Sequence, residues 1–449
     1  MTKSFRNILT SLFFVAISAT LSAGIYNNNN QSAAFLRNPS RSTTFEIDGV
    51  YYNPAGLVFG STGWNFGINN QSAWQTRSVT SDFILFGGDK KFEAKIASPI
   101  IPSVYGAYVG NRWAVSGYFI ALGGGGTANY EKGLPSFESA IRAALLPTGL
   151  EYDYKSSFEG TMLTFAAQLG ISYKISDNLS AFAGVRGIMH NNKYDGFVSA
   201  EVREIPLADM QLKSTQKGLG IAPILGFDFN YDRFTFAAKY EFRTSITTEN
   251  ETETITAVIG GNNLIGTPND PIKDYADGAK WRKDMPALLT VAASYGITEN
   301  LNLSIAYWHH FNKAATVSQS SKYPEGKQSL LSGDGSDYQV GLEYTINEHW
   351  LVSGGVQISR NGMTEAFGSD MEQTFDSESY GFGFRYSLSE KVKFDLGCYK
   401  THFDSPFTDT DNYTAIDSQL SAAMGTTVQT TDTYRRSSIA VGIGVSVNF

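Results

Sequence analysis

Three cations, Arg186, Lys239 and Arg385, fall on the same side of separate stretches of alternating sequence. An arginine so placed can hold a carboxylate through paired hydrogen bonds, as the anionic headgroup of a ligand would require. Glu241, Glu343 and Asp395 occupy that same side. Internal ion pairs therefore compete with ligand binding for these cations. Other reactive residue types form no constellation. His190, His309, His310, His349 and His402 are scattered, and His309 and His310 point to opposite faces of a strand, which spoils them as joint metal ligands. No serine, histidine and polar orienter stand out together, so no catalytic residue is expected. Asp270, Asp274 and Asp277 miss the calcium-loop spacing and read as solvated loop charge. No metal and no cofactor is indicated. Cys398 is the single cysteine of 449 residues, which excludes an intramolecular disulfide framework. A net charge of -8 with scattered lysines and arginines gives no footprint for nucleic acid.

The elements that must position these side chains are strands. Leu163, Phe165, Ala167, Leu169, Ile171 and Tyr173 alternate with smaller or polar residues, the period of a strand with one apolar face. Phe234, Phe236, Ala238, Tyr240 and Phe242 likewise oppose Thr235, Ala237, Lys239, Glu241 and Arg243. Short turns near Gly110, Ser176 to Asn178, Tyr231-Asp232, Thr298 to Asn300, Asn347-Glu348 and Ser389-Glu390 mark six hairpins. Strands from about 63 to 74 and 436 to 449 bring the count to fourteen. An even number suits a closed antiparallel membrane barrel.

Alternation alone fits a soluble sandwich equally well. Length and aromatics separate the two. The stretches run about 10 to 13 residues, near what a tilted crossing needs. Tyr108, Tyr173, Tyr231, Tyr295, Tyr344 and Tyr386 each precede one of the six turns, as an aromatic girdle at a headgroup boundary would. Seven long connections are then expected outside, at about 75–100, 123–161, 191–217, 245–284, 312–335, 361–378 and 403–435.

Residues 1–23 read as a secretory signal peptide: Lys3 and Arg6, an apolar run from Ile8 to Ala19, then Ser22 and Ala23. That run is too short to span a bilayer as a helix. Residues 24–62 precede the first strand and have the periplasm or the lumen as their only places, and a plug (hatch) is the economical choice. Within them "IDGVYYNPAGLVFG" carries Tyr51 and Tyr52 as packing groups, and Asn53 is expected to cap a helical turn begun by Pro54. The domain plan is thus signal peptide 1–23, hatch 24–62 and barrel 63–449.

The tetrapeptide Asn53-Pro54-Ala55-Gly56 ahead of a fourteen-strand pattern resembles the FadL-type family of outer-membrane transporters of hydrophobic compounds. The likeness continues at "IPSVYGAYVGNRWAVSGYFIALG" and "MPALLTVAASYGITENLNLSIAYWHHF", and the ending "RRSSIAVGIGVSVNF" resembles the terminal strand by which such barrels are recognised for insertion. Arg37, Arg41, Glu46 and Asp48 stand where the family commonly carries small residues. The resemblance implies an all-β, fourteen-stranded outer-membrane barrel with an N-terminal hatch. It implies inward carriage of long-chain fatty acids or aromatic hydrocarbons, with outer-membrane lipid and the barrel assembly machinery as partners and no enzyme activity. Loop capture and a lateral opening in the wall belong to the same expectation. Phe137, Ile141, Ala144 and Leu145 lie at helical spacing and suit a capture groove, and Gly123 to Gly126 would interrupt strand pairing. A diffusion porin for polar solutes and a structural or adhesive barrel remain the competing readings.

Overall fold

A computed structural model describes residues 29–449 except 268, 269, 271, 320–322, 371–374, 405, 406, 411 and 412, so the expected signal peptide lies outside the described residues. Fourteen antiparallel strands form the barrel: β1 Gly63–Ser81, β2 Lys90–Val109, β3 Trp113–Tyr130, β4 Asp153–Ser176, β5 Leu179–Val202, β6 Ile205–Tyr231, β7 Phe234–Glu241, β8 Leu288–Gly296, β9 Leu301–His310, β10 Gly335–Thr345, β11 Trp350–Arg360, β12 Ser377–Ser387, β13 Val392–Phe403 and β14 Asp432–Asn448. Each pairs with its neighbours, and β1 closes on β14 with Asn65 opposite Asn448 through to Ser81 opposite Asp432. Closure pairs every strand with a neighbour on both sides over at least part of its length, the condition for crossing lipid with strands.

The pleat decides which face goes where. Leu169, Leu219, Ile221, Phe382 and Ile443 point outward and are more than half exposed, while Gln168, Arg186, Lys239, Glu241 and Arg385 are buried in the lumen. An apolar outside around a polar inside is the inverse of a soluble sandwich. Trp64, Tyr108 and Trp113 pack ring on ring at 5.1 and 5.4 Å beside the first short turn. Tyr173, Tyr231, Tyr295 and Tyr344 are exposed at the same end.

All six short turns fall where the alternation breaks, but strand lengths do not follow the expected 10 to 13 residues. They run from 8 residues in β7 to 27 in β6. At about 3.3 Å per residue β4, β5 and β6 extend far beyond a bilayer. Two expected loops are consequently mostly strand: β1 meets β2 across residues 82–89, and β5 turns into β6 at Arg203-Glu204, both with positive φ. Membrane thickness limits the buried part of a strand, and nothing stops the ladder from continuing into water. A ribbon at Thr247–Ile259 likewise prolongs the wall by pairing with the outer half of β6.

Residues 29–62 fill the lumen. Helix α1, Ala33–Arg37, starts at Ser32, whose Oγ accepts from the Phe35 amide at 3.0 Å. Helix α2, Gly49–Tyr52, leads into a 3₁₀ turn over Pro54–Phe59 with Pro54 at its first position. Wall glycines make room for α1. A Cβ on Gly397 would stand 2.4 Å from the Ala33 carbonyl oxygen, and one on Gly381 2.6 Å from that of Leu36. Phe35, Leu36, Tyr51, Tyr52 and Leu57 then share one apolar core with wall residues Tyr105, Tyr118, Ile120 and Trp308.

Candidate functional site

The plug is held differently on its two sides. Against β4 to β6 the bonds come mainly from neutral side chains meeting plug carbonyls. Gln168 Nε2 donates to the Val50 carbonyl at 3.0 Å, Ser172 Oγ to that of Pro54 at 2.6 Å and Ser180 Oγ to that of Ala55 at 2.7 Å. Asn53 does not use its side chain as a cap. Its Nδ2 donates instead to Asp228 Oδ2 at 2.6 Å and to the Thr44 carbonyl at 3.3 Å. The bond its Nδ2 donates to the Asp228 carboxylate fixes the orientation of the amide, and its Oδ1 accepts no amide of the turn.

Against β10 to β13 the plug is held by charge. Arg37 donates to Asp395 at 2.9 Å, to Glu343 at 2.5 Å and to Ser353 at 2.7 Å. Arg41 binds Asp48 at 2.8 Å and Glu46 at 2.7 Å, and Glu46 also pairs with Arg385 of β12. With Lys393 3.8 Å from Glu46, four cations face the four carboxylates Glu46, Asp48, Glu343 and Asp395. Burial pulls the Arg41 guanidinium down, but Asp48, Glu46 and Glu343 outweigh it and hold it well above its ordinary value. Burial likewise pushes Glu46 up, and the Arg385 and Arg41 guanidiniums reverse this, leaving its carboxyl well below the usual range.

Of the three cations singled out by alternation, Arg385 thus joins the plug network. Arg186 and Lys239 come together on Glu241, and Lys239 Nζ also donates to the Tyr51 carbonyl at 2.6 Å. All three touch protein partners in this structure. Sequence reasoning did not find Asp228, although an acid isolated between phenylalanines on the lumen side of β6 was a signal for it.

Two cavities lie at opposite ends of the plug. One of about 210 Å³, at the long-loop end, is lined by Phe35 and Tyr52 of the plug and by Trp308, Tyr399, Gln75 and Arg436 of the wall. The other, of about 180 Å³ at the short-turn end, includes Phe45, Glu46, Gly60 and Lys391. The aromatic floor of the first is tight. Phe35 stacks on Tyr52 at 5.3 Å and lies 5.9 Å from Tyr399 and 6.2 Å from Trp308.

Beside the first cavity the wall is incomplete. β2 and β3 share ladder bonds only between Ser103–Val109 and Ala114–Ile120. Farther out, β2 pairs with β1 and β3 with β4. Bulges at Ala121/Gly123 and Gly124/Thr127 bend β3 there, and Gly124 and Gly125 have positive φ. Pro99 and Pro102 on β2, which lack amides to donate, are the second signal for this seam, and it went unused in reading the sequence. The plug supplies donors in place of the missing strand. The Asn29 amide donates to the Leu122 carbonyl at 2.9 Å, and its Nδ2 to those of Ala121 and Gly124 at 3.0 and 2.8 Å. Ser103 Oγ and Tyr105 OH, each at 2.5 Å, donate to the Gln31 carbonyl.

The long loops cover the cavity end. Helix α3, Pro135–Leu145, forms over the predicted residues, but Phe137, Ile141 and Leu145 are buried in an apolar cluster with Phe92, Tyr130 and Phe158, so they line no open groove. Ala144 packs against Tyr413, Ile416 and Leu420, the last two on helix α4, Thr414–Met424. Asp270 and Asp277 accept backbone amides within their own loop region, as turn-forming carboxylates do. His310 bonds Asp337 at 2.8 Å, whereas His309 meets Tyr307 at 3.0 Å.

A closed fourteen-strand barrel with an N-terminal plug is the fold of FadL-type channels, and solved structures agree. A Pseudomonas aeruginosa FadL homologue superposes with a TM-score of 0.64 at 11% identity, covering 95% of this chain and 100% of its own. The Pseudomonas putida toluene transporter TodX gives 0.58 at 14% identity, with 95% and 100% covered. The Ralstonia pickettii toluene transporter TbuX gives 0.53 at 16% identity, with 90% and 94% covered. No protein-family model and no curated protein sequence matches the chain.

Proposed function

We propose that this protein carries hydrophobic molecules across the outer membrane, taking them from the long-loop end into the upper cavity and releasing them through the seam between β2 and β3. The observation that carries this reading is the break in the β2–β3 ladder beside a cavity, latched by the first described plug residues. The solved relatives include proteins titled toluene transporters, which supports a hydrophobic cargo.

The physical logic is one of matched energies. An apolar solute gains about 0.8 kcal/mol per methylene on leaving water, so a water-filled pore is the wrong route and a lateral exit into lipid the right one. Opening the latch breaks four hydrogen bonds, from Asn29 and Gln31 to carbonyls of β3. At about 0.5–1.5 kcal/mol net each, that costs roughly 2–6 kcal/mol. Burying a handful of methylenes offsets such a cost. Phe137, Ile141 and Leu145 then act as part of a cover that the solute displaces. Arg186 and Lys239 position the plug through Glu241 and Tyr51, and β14 is the segment offered to the assembly machinery.

Deleting residues 24–60 tests this reading. Uptake of a hydrophobic probe into cells should fall while the barrel stays folded, and the deletion, unlike the intact protein, should pass sugars in liposome swelling. Brisk sugar flux through the intact protein would establish a porin instead.

A further inference from the structure

The aromatic floor of the upper cavity turns its polar tips toward protein. The Tyr52 hydroxyl accepts from the Gln31 amide at 3.0 Å, Trp308 Nε1 donates to Ser42 Oγ at 3.0 Å, and the Tyr399 hydroxyl donates to Gln357 Oε1 at 3.1 Å. Ring surface, including that of Phe35, is what these residues leave to a ligand. The charged groups of the wall are engaged as well. Asp337 accepts from His310 at 2.8 Å, Ser359 at 2.5 Å and Gln357 at 3.1 Å. Arg360 faces Asp376 at 3.6 Å and Glu378 at 4.0 Å, while Arg436 donates to Gln75 at 3.1 Å and lies 4.2 Å over the Phe403 ring. A charged ligand group finds no vacant counter-charge in them.

Asn361 differs from these. It lines the same cavity, is 8% exposed, and its buried Oδ1 has no hydrogen-bond partner among the described residues. Its backbone is held on both sides, the amide donating to Asp376 Oδ1 at 2.9 Å and the carbonyl accepting from Asn312 Nδ2 at 3.5 Å. The residue is thus fixed while its side-chain acceptor is unspent. A buried acceptor without a donor is costly, and a ligand that brings a donor removes that cost. The torsion that turns a terminal amide is broad, so Oδ1 can swing to meet it. Register supplies the spacing. Trp308 stands opposite Asp337 and Asp337 opposite Ser359, and Asn361 follows two residues beyond Ser359. On an extended chain that is roughly 7 Å outward from the level of Trp308, the reach of a ring bearing one substituent. The volume, about 210 Å³, is below the roughly 300–1,000 Å³ of drug-sized sites and suits a compact ligand.

We propose that the cavity takes a neutral aromatic alcohol of the phenol class, its hydroxyl donating to Asn361 Oδ1 and its ring on the Phe35–Tyr52–Trp308–Tyr399 floor. This deepens the transport reading and rests on it for the cavity's role. The hydroxyl gains a hydrogen bond in a site shielded from water, and the ring gains contact with the floor. A hydrocarbon or an aryl ether would use only the second, having no donor to give.

Calorimetric titration of the full-length barrel in detergent with 2-naphthol, its methyl ether 2-methoxynaphthalene and the anion 2-naphthoate tests the assignment. The wild type should bind 2-naphthol roughly 2- to 10-fold tighter than Asn361→Leu does, the net effect of one neutral hydrogen bond. The methyl ether should bind both alike. Asn361→Asp keeps an acceptor at the same position and should retain tight naphthol binding, with heat-modifiable mobility confirming that both variants are folded. Equal affinity of 2-naphthol for the wild type and Asn361→Leu leaves water as the partner of Asn361 and overturns donor recognition, while binding of the methyl ether keeps hydrophobic passage standing. Tighter binding of 2-naphthoate than of 2-naphthol by the wild type overturns the neutral class in favour of an anion. Absence of binding by all three overturns the site, and sugar flux through the intact barrel in liposome swelling would overturn the transport reading with it.

Discussion

Replacing Arg37 by methionine asks whether charge holds the plug. The side chain is fully buried and reaches Asp395, Glu343 and Ser353, so the substitution keeps the unbranched stem and removes the guanidinium with these bonds. Breaking a buried pair by deleting one partner generally costs about 3–5 kcal/mol. Here each carboxylate keeps a second cation, Asp395 with Arg385 at 3.0 Å and Glu343 with Arg41 at 3.4 Å. The expected loss is therefore smaller, roughly 2–3 kcal/mol, which weakens docking of the plug some 30- to 150-fold. The barrel should survive, because its ladder does not involve this residue. Liposome swelling with small sugars should rise from the background level, residues 29–60 should become cleavable by protease, and heat-modifiable mobility should be unchanged. Background swelling with a protected N-terminal segment would refute the reasoning and leave the neutral contacts against β4 to β6 to hold the plug.

Three further expectations follow from the same contacts. An ideal Cβ on Gly126 stands 2.3 Å from Ser98 Oγ, so a Ser98→Cys/Gly126→Cys pair in a Cys398→Ser background should form a disulfide across the seam; uptake should stop when oxidised and return with reductant, and uptake indifferent to oxidation would remove the seam from the route. Glu46 has a carboxyl held below its ordinary value, so its contribution to docking is complete above the unfolded value of about 4.3 and fades as pH falls toward the lowered one; swelling should be absent at neutral pH and appear only in acid below that value, and onset near neutrality would point to another group. Asn53→Leu leaves Asp228, whose Oδ1 is already without a partner, with no donor from the plug, a loss of about 1.5–3 kcal/mol; hydrophobic uptake should fall with the barrel intact, whereas failure to assemble would make the stretch a folding element.

Much of the architecture follows from periodicity alone, since a side-chain period of two assigns a face to every residue between turns. That is why the six hairpins, the closing strands and the apolar exterior were legible, and why Arg186, Lys239 and Arg385 could be placed in the lumen. Strand ends were not legible, because the outer ribbons of β4 to β6 keep the same alternation in water as in lipid. The fate of each lumen charge was not legible either. Arg37 and Glu343 are 306 residues apart, and only closure of the barrel and insertion of the plug bring them within a hydrogen bond. The same holds for Asn53, whose sequence signal favoured a helix cap until folding placed Asp228 beside it. Local pattern determined what each strand is and which way its residues face. Tertiary structure decided which charges meet and where the wall parts between β2 and β3, because such pairings depend on separations that no local period encodes.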